Sequence, residues 1–96
     1  MKIRMSDEQK AAMERLVRVA ASHTGQSRRV ADFLLSWWNA AECGGFDLTD
    51  LWGVDEDIAH DMIIVFAMLT ACRYYPDTLG YAPQFETMAR AWRSNL

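Results

Sequence analysis

The sequence is poor in residues that interrupt or cross-link a chain, with two prolines, five glycines and two cysteines among its 96 residues. Cys43 and Cys72 lie in different predicted helices and do not form a C-x-x-C pair. Two isolated thiols in a small chain without a secretory signal are typical of a reducing compartment. We therefore expect both cysteines to be reduced, and a disulfide between them is the alternative.

Long hydrophobic runs are also missing. The longest, from Met62 to Leu69, has only eight residues, whereas a membrane-spanning helix needs about 20. Segment 1–10 is charged and polar, so it lacks the apolar part of a signal peptide. These two absences predict a cytoplasmic protein that does not contact a membrane.

No group of side chains has the pattern of a catalytic or metal site. The nearest candidate is His60 with Asp57 and Asp61, but a zinc site needs three or four converging ligands, and the segment lacks the glycine and final glutamate of an EF-hand loop. Neither His23 nor His60 has a sequence partner that would activate a nucleophile. The Gly44–Gly45 pair lacks the spacing of a phosphate-binding loop. We therefore predict a solvated helix start at His60, no metal, no cofactor and no enzymatic activity.

Apolar residues are abundant and periodic. Hydrophobic residues make up 51% of the chain and charged residues 24%, which is the composition of a globular protein, and the length fits a single domain over residues 1–96. Apolar positions recur at spacings of three and four, as in amphipathic helices. The sequence therefore predicts an all-α fold, a compact bundle of four main helices with a short extra helical turn between the second and third. The predicted boundaries are near 6–23, 27–43, 55–74 and 83–94.

Local signals set these boundaries. Ser6 and Gln9 form a capping-box pattern at the start of the first helix, and Gly25 suits its C-terminal end. Pro83 fits the first position of the fourth helix. The expected N-caps of the second helix, the extra turn and the third helix are Ser27, Asp47 and Asp55.

The third predicted helix is apolar nearly all round from Ile58 to Tyr74. This pattern is typical of the most buried helix of a bundle. Tryptophans at helical spacing are usually core residues, and Trp52 on the extra turn is the one we expect to be partly exposed. The predicted core consists of Phe33, Leu34, Trp37, Ile64, Val65, Leu69, Phe85 and Trp92.

Charge is distributed unevenly along the chain. Residues 1–29 carry seven Lys or Arg and three acids, whereas residues 30–72 carry eight acids and neither Lys nor Arg. One interpretation is a solvated face with helix caps; the other is a docking surface for a basic partner. The residues predicted to bind such a partner are Glu42, Phe46, Asp47, Asp50, Leu51, Trp52, Asp55, Glu56, Asp57 and Asp61.

A helix-turn-helix regulator is the alternative function. Ala21 and Gly25 have the spacing of that motif's turn, and Arg28 and Arg29 would lie at the start of the recognition helix. However, this helix has no basic residue after Arg29, and the net charge of −3 is the wrong sign for a DNA-binding protein. We therefore expect no direct binding of nucleic acid.

The segment Trp37–Trp52, with the sequence WWNAAECGGFDLTDLW, resembles an uncharacterised family of small proteins from conjugative elements, plasmids and phages of proteobacteria. Segment 75–81 and the closing Trp92-Arg93 look like the same family, so the resemblance covers about residues 33–93. It carries no catalytic motif. It implies an accessory protein of a mobile element, a class that includes anti-CRISPR proteins.

The leading hypothesis is a non-enzymatic binding protein of a mobile element that inhibits a host or competitor protein, with an anti-CRISPR protein as the specific form. Its carboxylates would occupy the basic residues with which a CRISPR effector subunit holds nucleic acid. Phe46, Leu51 and Trp52 would form the apolar centre of the contact. The sequence leaves the oligomeric state open between a monomer and a homodimer.

Overall fold

A computed structural model describes residues 5–94, which form four α-helices and one short 3₁₀ helix, with no strand in this range. The helices are α1 (Asp7–Ala20), α2 (Gly25–Cys43), the 3₁₀ helix (Leu48–Gly53), α3 (Glu56–Ala71) and α4 (Ala82–Trp92). The radius of gyration is 12.5 Å, close to the value of about 13 Å for a globular domain of 100 residues. The predicted all-α bundle with an extra turn is therefore confirmed. None of the helices in this range is long and apolar enough to cross a membrane.

At α1, α2 and the 3₁₀ helix, the N-cap side chain accepts a hydrogen bond from the backbone, and one of these three caps differs from the prediction. Ser6 and Gln9 form the complete capping box of α1, and Asp47 caps the 3₁₀ helix. The predicted cap of α2 is wrong, because the N-cap is Thr24, whose hydroxyl accepts from the backbone N–H of Ser27. Threonine is also a favoured N-cap residue, and α2 begins at Gly25, while α1 ends at Ala20, earlier than predicted.

The centre of the bundle is α2, which packs against α1, α4 and the 3₁₀ helix. The prediction that α3 is the most buried helix is wrong, since α3 packs closely only on α1. Its buried residues are Asp61, Met62, Val65 and Met68, whereas Ile63 and Phe66 are 59% and 62% exposed. An apolar pattern shows that a helix avoids water, but burial also requires neighbours on every side, and α3 lacks them.

Four of the predicted core residues, Phe33, Leu34, Val65 and Phe85, are buried. The other four, Ile64, Leu69, Trp37 and Trp92, are half-buried and pack against the core. Both tryptophans have an indole N–H that needs a partner, and an amphipathic ring of this kind usually lies at the edge of a core. The Nε1 of Trp37 donates to the carbonyl of Tyr74 at 3.2 Å, and that of Trp92 donates to the carbonyl of Ala20 at 2.9 Å.

The C-terminal end of α2 is joined to that of α4 by Arg93. Its Nε donates to the carbonyl of Cys43 at 2.8 Å, and its Nη2 donates to Asp32 on α2. The backbone is non-helical at Asn39, whose side-chain oxygen accepts from the N–H of Glu42 at 3.2 Å. The last turn of α2 is therefore held by contacts with distant residues and by a local cap.

Candidate functional site

The 3₁₀ helix presents three different faces. With three residues per turn, positions three apart lie directly above one another. One face consists of Leu48 and Leu51, which line an apolar cavity. A second consists of Asp50 and Gly53, which approach Arg29 on α2. The third consists of Thr49 and Trp52.

The second face attaches the 3₁₀ helix to α2. The Nε of Arg29 lies 3.5 Å from Oδ1 of Asp50, and its Nη1 donates to the carbonyl of Gly53 at 3.4 Å. Arg28 adds a weaker ion pair, with Nη2 3.9 Å from the same oxygen of Asp50. A Cβ on Gly53 would lie 2.5 Å from Cζ of Arg29, so a side chain at this position would displace the guanidinium.

The third face carries the most exposed large apolar side chain of the described residues. Trp52 is 84% exposed, more than the partial exposure that the sequence predicted. The cap residue Asp47 lies on one side of it in sequence, accepting from the N–H of Thr49 at 2.9 Å and from its hydroxyl at 2.8 Å. These two hydrogen bonds lower the pKa of Asp47, so the residue is ionised at neutral pH.

Asp55 lies on the other side of Trp52, at the N-cap of α3, but its side chain makes no capping hydrogen bond. Instead its carboxylate accepts from Nε2 of Gln26 at 3.3 Å, and its backbone N–H donates to the same amide group. Gln26 therefore connects the start of α3 to the start of α2. We define the Trp52 surface as Asp47, Thr49, Trp52 and Asp55.

The other predicted acidic residues are in two different situations. Glu42, Glu56 and Asp57 are exposed, and within residues 5–94 they form no ion pair. By contrast, Asp50 is paired with Arg28 and Arg29, as above. Asp61 is buried and receives two hydrogen bonds of 2.8 Å from Arg15 on α1. The acidic middle of the sequence is therefore partly neutralised inside the fold, and the structure divides the predicted residues among several environments.

Phe46 and Leu51, the remaining predicted residues, lie in an apolar groove between α2, the 3₁₀ helix and α3. The groove contains a cavity of about 470 Å³. Ile63 and Phe66 of α3 also border it, and Ser36 is its one polar residue; the other lining residues are Phe33, Trp37, Leu48, Met62 and Leu69. Sequence reasoning missed this groove because it placed α3 in the centre of the bundle.

His60, the nearest candidate for a metal or acid–base residue, borders a second cavity with Arg15, Arg18, Asp57 and Asp61. Because Arg15 binds both oxygens of Asp61, that carboxylate is engaged by a cation. No group of three or more His, Cys, Asp or Glu in residues 5–94 has the geometry to hold a metal ion.

Both cysteines are free thiols. Cys43 is buried at the end of α2, and burial raises its pKa although nearby Arg93 opposes this effect. The neutral thiol is a poor nucleophile, so Cys43 is suited to packing and not to covalent chemistry.

Residues 10–93 of the chain match a protein family described as a family of unknown function, DUF7673. The comparisons with curated proteins and with solved structures found no match. Since the family match extends over nearly the whole chain and includes all of α2, the 3₁₀ helix, α3 and α4, the protein belongs to the DUF7673 family.

Proposed function

We propose that this protein is a non-enzymatic binding protein that inhibits a partner by docking the Trp52 surface onto a basic patch of that partner. The observation that carries the proposal is the 84% exposure of Trp52 on a short helix that is fixed at several points. Exposing a large apolar ring to water is unfavourable, and tryptophan is enriched among the residues that contribute most at the centres of protein interfaces.

The partner should be basic for two reasons. Asp47 and Asp55 flank Trp52 in the sequence and are exposed, so they attract a positively charged surface and increase the rate of encounter. The indole ring itself favours a cation over its face, with a strength of about 0.5–2 kcal/mol. An arginine or lysine placed between the two carboxylates and against the ring would use both effects.

The 3₁₀ helix is held in place before any partner arrives. Arg29 holds it at Asp50 and Gly53, and Gln26 holds Asp55 at its C-terminal side. Little conformational entropy is therefore lost on binding, which favours affinity.

Within this proposal, the specific inhibitor is an anti-CRISPR protein of a mobile element. It would occupy lysines and arginines with which a CRISPR effector subunit holds nucleic acid, so its carboxylates would act in place of phosphates. The charge of the Trp52 surface supports this form, together with the resemblance of segment 37–52 to proteins of mobile elements.

The DNA-binding alternative has less support. Arg28 donates to Asp32 at 2.6 Å, and Arg29 is engaged by Asp50 and Gly53. A DNA phosphate would have to compete with these intramolecular carboxylates for both arginines. Regulation through direct DNA contact would therefore require the start of α2 to rearrange.

The first experiment is phage plaquing on bacteria with an active CRISPR system, one system at a time, with this protein expressed. We expect plaques to be restored by the wild type and lost with Trp52→Ala. The double variant Asp47→Asn, Asp55→Asn should also lose inhibition, because asparagine keeps the hydrogen-bond acceptors and removes the charges. The control is Glu86→Gln, which removes an exposed charge from α4 and should inhibit fully.

A second experiment tests the binding surface independently of CRISPR. The immobilised protein is exposed to a lysate of the host at two salt concentrations, and the retained proteins are compared among the wild type and the same three variants. The proposal predicts that a basic protein is retained by the wild type and by Glu86→Gln. The same protein should be lost with the other two variants and at the higher salt concentration. Equal retention by Trp52→Ala would refute it.

A further inference from the structure

We infer that the exposed face of α3 pairs with the same face of a second copy of this chain, with the two helices antiparallel. This inference does not depend on the proposed function, because Trp52 does not line the groove beside α3. The α3 face is defined by one exposed acid, two exposed apolar residues and one exposed base, which are Glu56, Ile63, Phe66 and Arg73.

The first observation is the exposure of Ile63 and Phe66, at 59% and 62%. Beside them lies the cavity of about 470 Å³, and a second cavity of about 300 Å³ shares Trp37 and Leu69 with it. The second cavity extends the apolar strip to Tyr75, which is 64% exposed. A contiguous apolar strip of this kind marks an interaction surface.

The second observation identifies the occupant. Glu56 precedes Ile63 by seven residues and Arg73 follows Phe66 by seven, and seven residues are close to two helical turns. Glu56 therefore lies on the same side of α3 as Ile63. Arg73 follows the end of α3, and its Nε donates back to the carbonyl of Thr70 at 3.3 Å, which keeps it beside the last turn.

This arrangement is complementary to itself under twofold symmetry. Counted along the sequence, the midpoint between Glu56 and Arg73 is the same as the midpoint between Ile63 and Phe66. In an antiparallel pair about that point, Ile63 of one copy meets Phe66 of the other, and Glu56 meets Arg73 at both ends. An isologous contact has this property, since each residue pair occurs twice.

Two further features fit a second copy. Antiparallel helices place the positive end of one dipole beside the negative end of the other. Ala59 and Thr70 oppose each other in this register, and their small side chains allow the helices to approach closely. A wholly basic partner would match Glu56 but would be repelled by Arg73, so a second copy fits the α3 face better.

The test begins with molecular mass. Sedimentation equilibrium of the full chain across a concentration series should show a reversible dimer of twice the 11.0 kDa chain mass. Phe66→Asp should be monomeric with an unchanged helical circular dichroism spectrum, because the side chain is mostly exposed. The proposal would be refuted if the wild-type protein stayed monomeric up to its solubility limit. Binding of an apolar dye in the groove of that monomer would not rescue it.

A charge exchange tests the register. Glu56→Arg and Arg73→Glu should each raise the dimer dissociation constant about tenfold, because two ion pairs are lost by symmetry. The double variant should return to within about threefold of the wild type, since the pairs re-form with reversed charges. The matched control exchanges Glu86 and Arg90, both exposed on α4, and should not change dimerisation. A double variant at positions 56 and 73 that is no better than the single variants would refute the antiparallel register.

The two proposals fail separately. Trp52→Ala should lose partner binding and remain dimeric, whereas Phe66→Asp should lose dimerisation and keep an intact Trp52 surface. A dimer that is disrupted by Trp52→Ala and unaffected by Phe66→Asp would refute the pairing of α3 faces.

Discussion

Arg15 on α1 donates from Nε and Nη2 to the two carboxylate oxygens of Asp61 on α3, each at 2.8 Å. The Asp61 side chain is 8% exposed, whereas that of Arg15 is 49% exposed. Hydrogen bonding to Asp61 raises the pKa of Arg15, although an arginine is charged at every accessible pH without this effect. This pair joins α3 to α1, the one helix on which α3 packs closely within the described residues.

The unequal burial of this pair predicts unequal effects of mutation. Arg15→Met should lower the Tm more than Asp61→Asn, because it leaves a buried carboxylate without a partner, whereas the arginine left by Asp61→Asn can be hydrated. Thermal unfolding followed by circular dichroism measures both values. Arg18→Met is the control, since Arg18 is exposed on α1 and should change the Tm little. Equal effects of the two substitutions would contradict the burial of Asp61.

Gly53→Ala should destabilise the protein by about 0.5–1.5 kcal/mol, the usual net contribution of one hydrogen bond, because the added Cβ would displace the guanidinium of Arg29 from the Gly53 carbonyl. The control is Gly45→Ala, where the Cβ would have no neighbour within 4 Å, and the change should stay within about 0.5 kcal/mol. Chemical denaturation gives both values. Adding Arg29→Ala should remove most of the effect of Gly53→Ala, and a cost that remains in full would mean that the clash is elsewhere.

Two apolar residues one turn apart on α3 should respond very differently to truncation. Met62 is 1% exposed, so Met62→Ala should cost about 2–5 kcal/mol. Phe66→Ala should change the stability of the monomer by less than about 1 kcal/mol, because the ring is mostly in water. Both are measured by urea unfolding at low protein concentration, where dimerisation does not contribute. Similar losses would show that Phe66 is covered within the monomer.

The lowered pKa of Asp47 gives a pH dependence with a definite sign. Its hydrogen bonds to Thr49 favour the charged form in the folded state, so its contribution to stability is complete above the ordinary aspartate pKa of about 3.9 and is lost as the pH falls through the lowered value. Carbon-detected NMR titration should place the Asp47 midpoint below that of an ordinary aspartate. Thr49→Ala should move that midpoint upward, and an unchanged midpoint would contradict this cause.

Much of the local structure could be predicted from the sequence because it depends on neighbouring residues. The capping box of Ser6, the cap of Asp47 and the exposure of Trp52 each follow from a few adjacent positions. The start of α2 was mispredicted although its signal is local, because Thr24 and Ser27 are both suitable caps and only packing selects between them.

The parts that could not be predicted depend on residues far apart in the chain. Arg15 and Asp61 are 46 residues apart, and Arg93 and Asp32 are 61 apart. No periodicity shows which arginine neutralises which carboxylate. The sequence alone therefore does not separate the paired carboxylates of its acidic middle from the unpaired ones. The groove exists because α3 has few neighbouring helices. The number of its neighbours is a property of the whole bundle and cannot be predicted from the α3 sequence.

The three faces of the 3₁₀ helix also determine which changes in length this segment can accept. Inserting or deleting one residue within Leu48–Gly53 would rotate every following side chain by about 120°. Leu51 would then leave the groove, and Gly53 would no longer be the residue beside Arg29. Substitution at Thr49 changes one exposed side chain, whereas a change of length changes all three faces at once. Members of the family should therefore keep the number of residues in this segment constant, even where its composition varies.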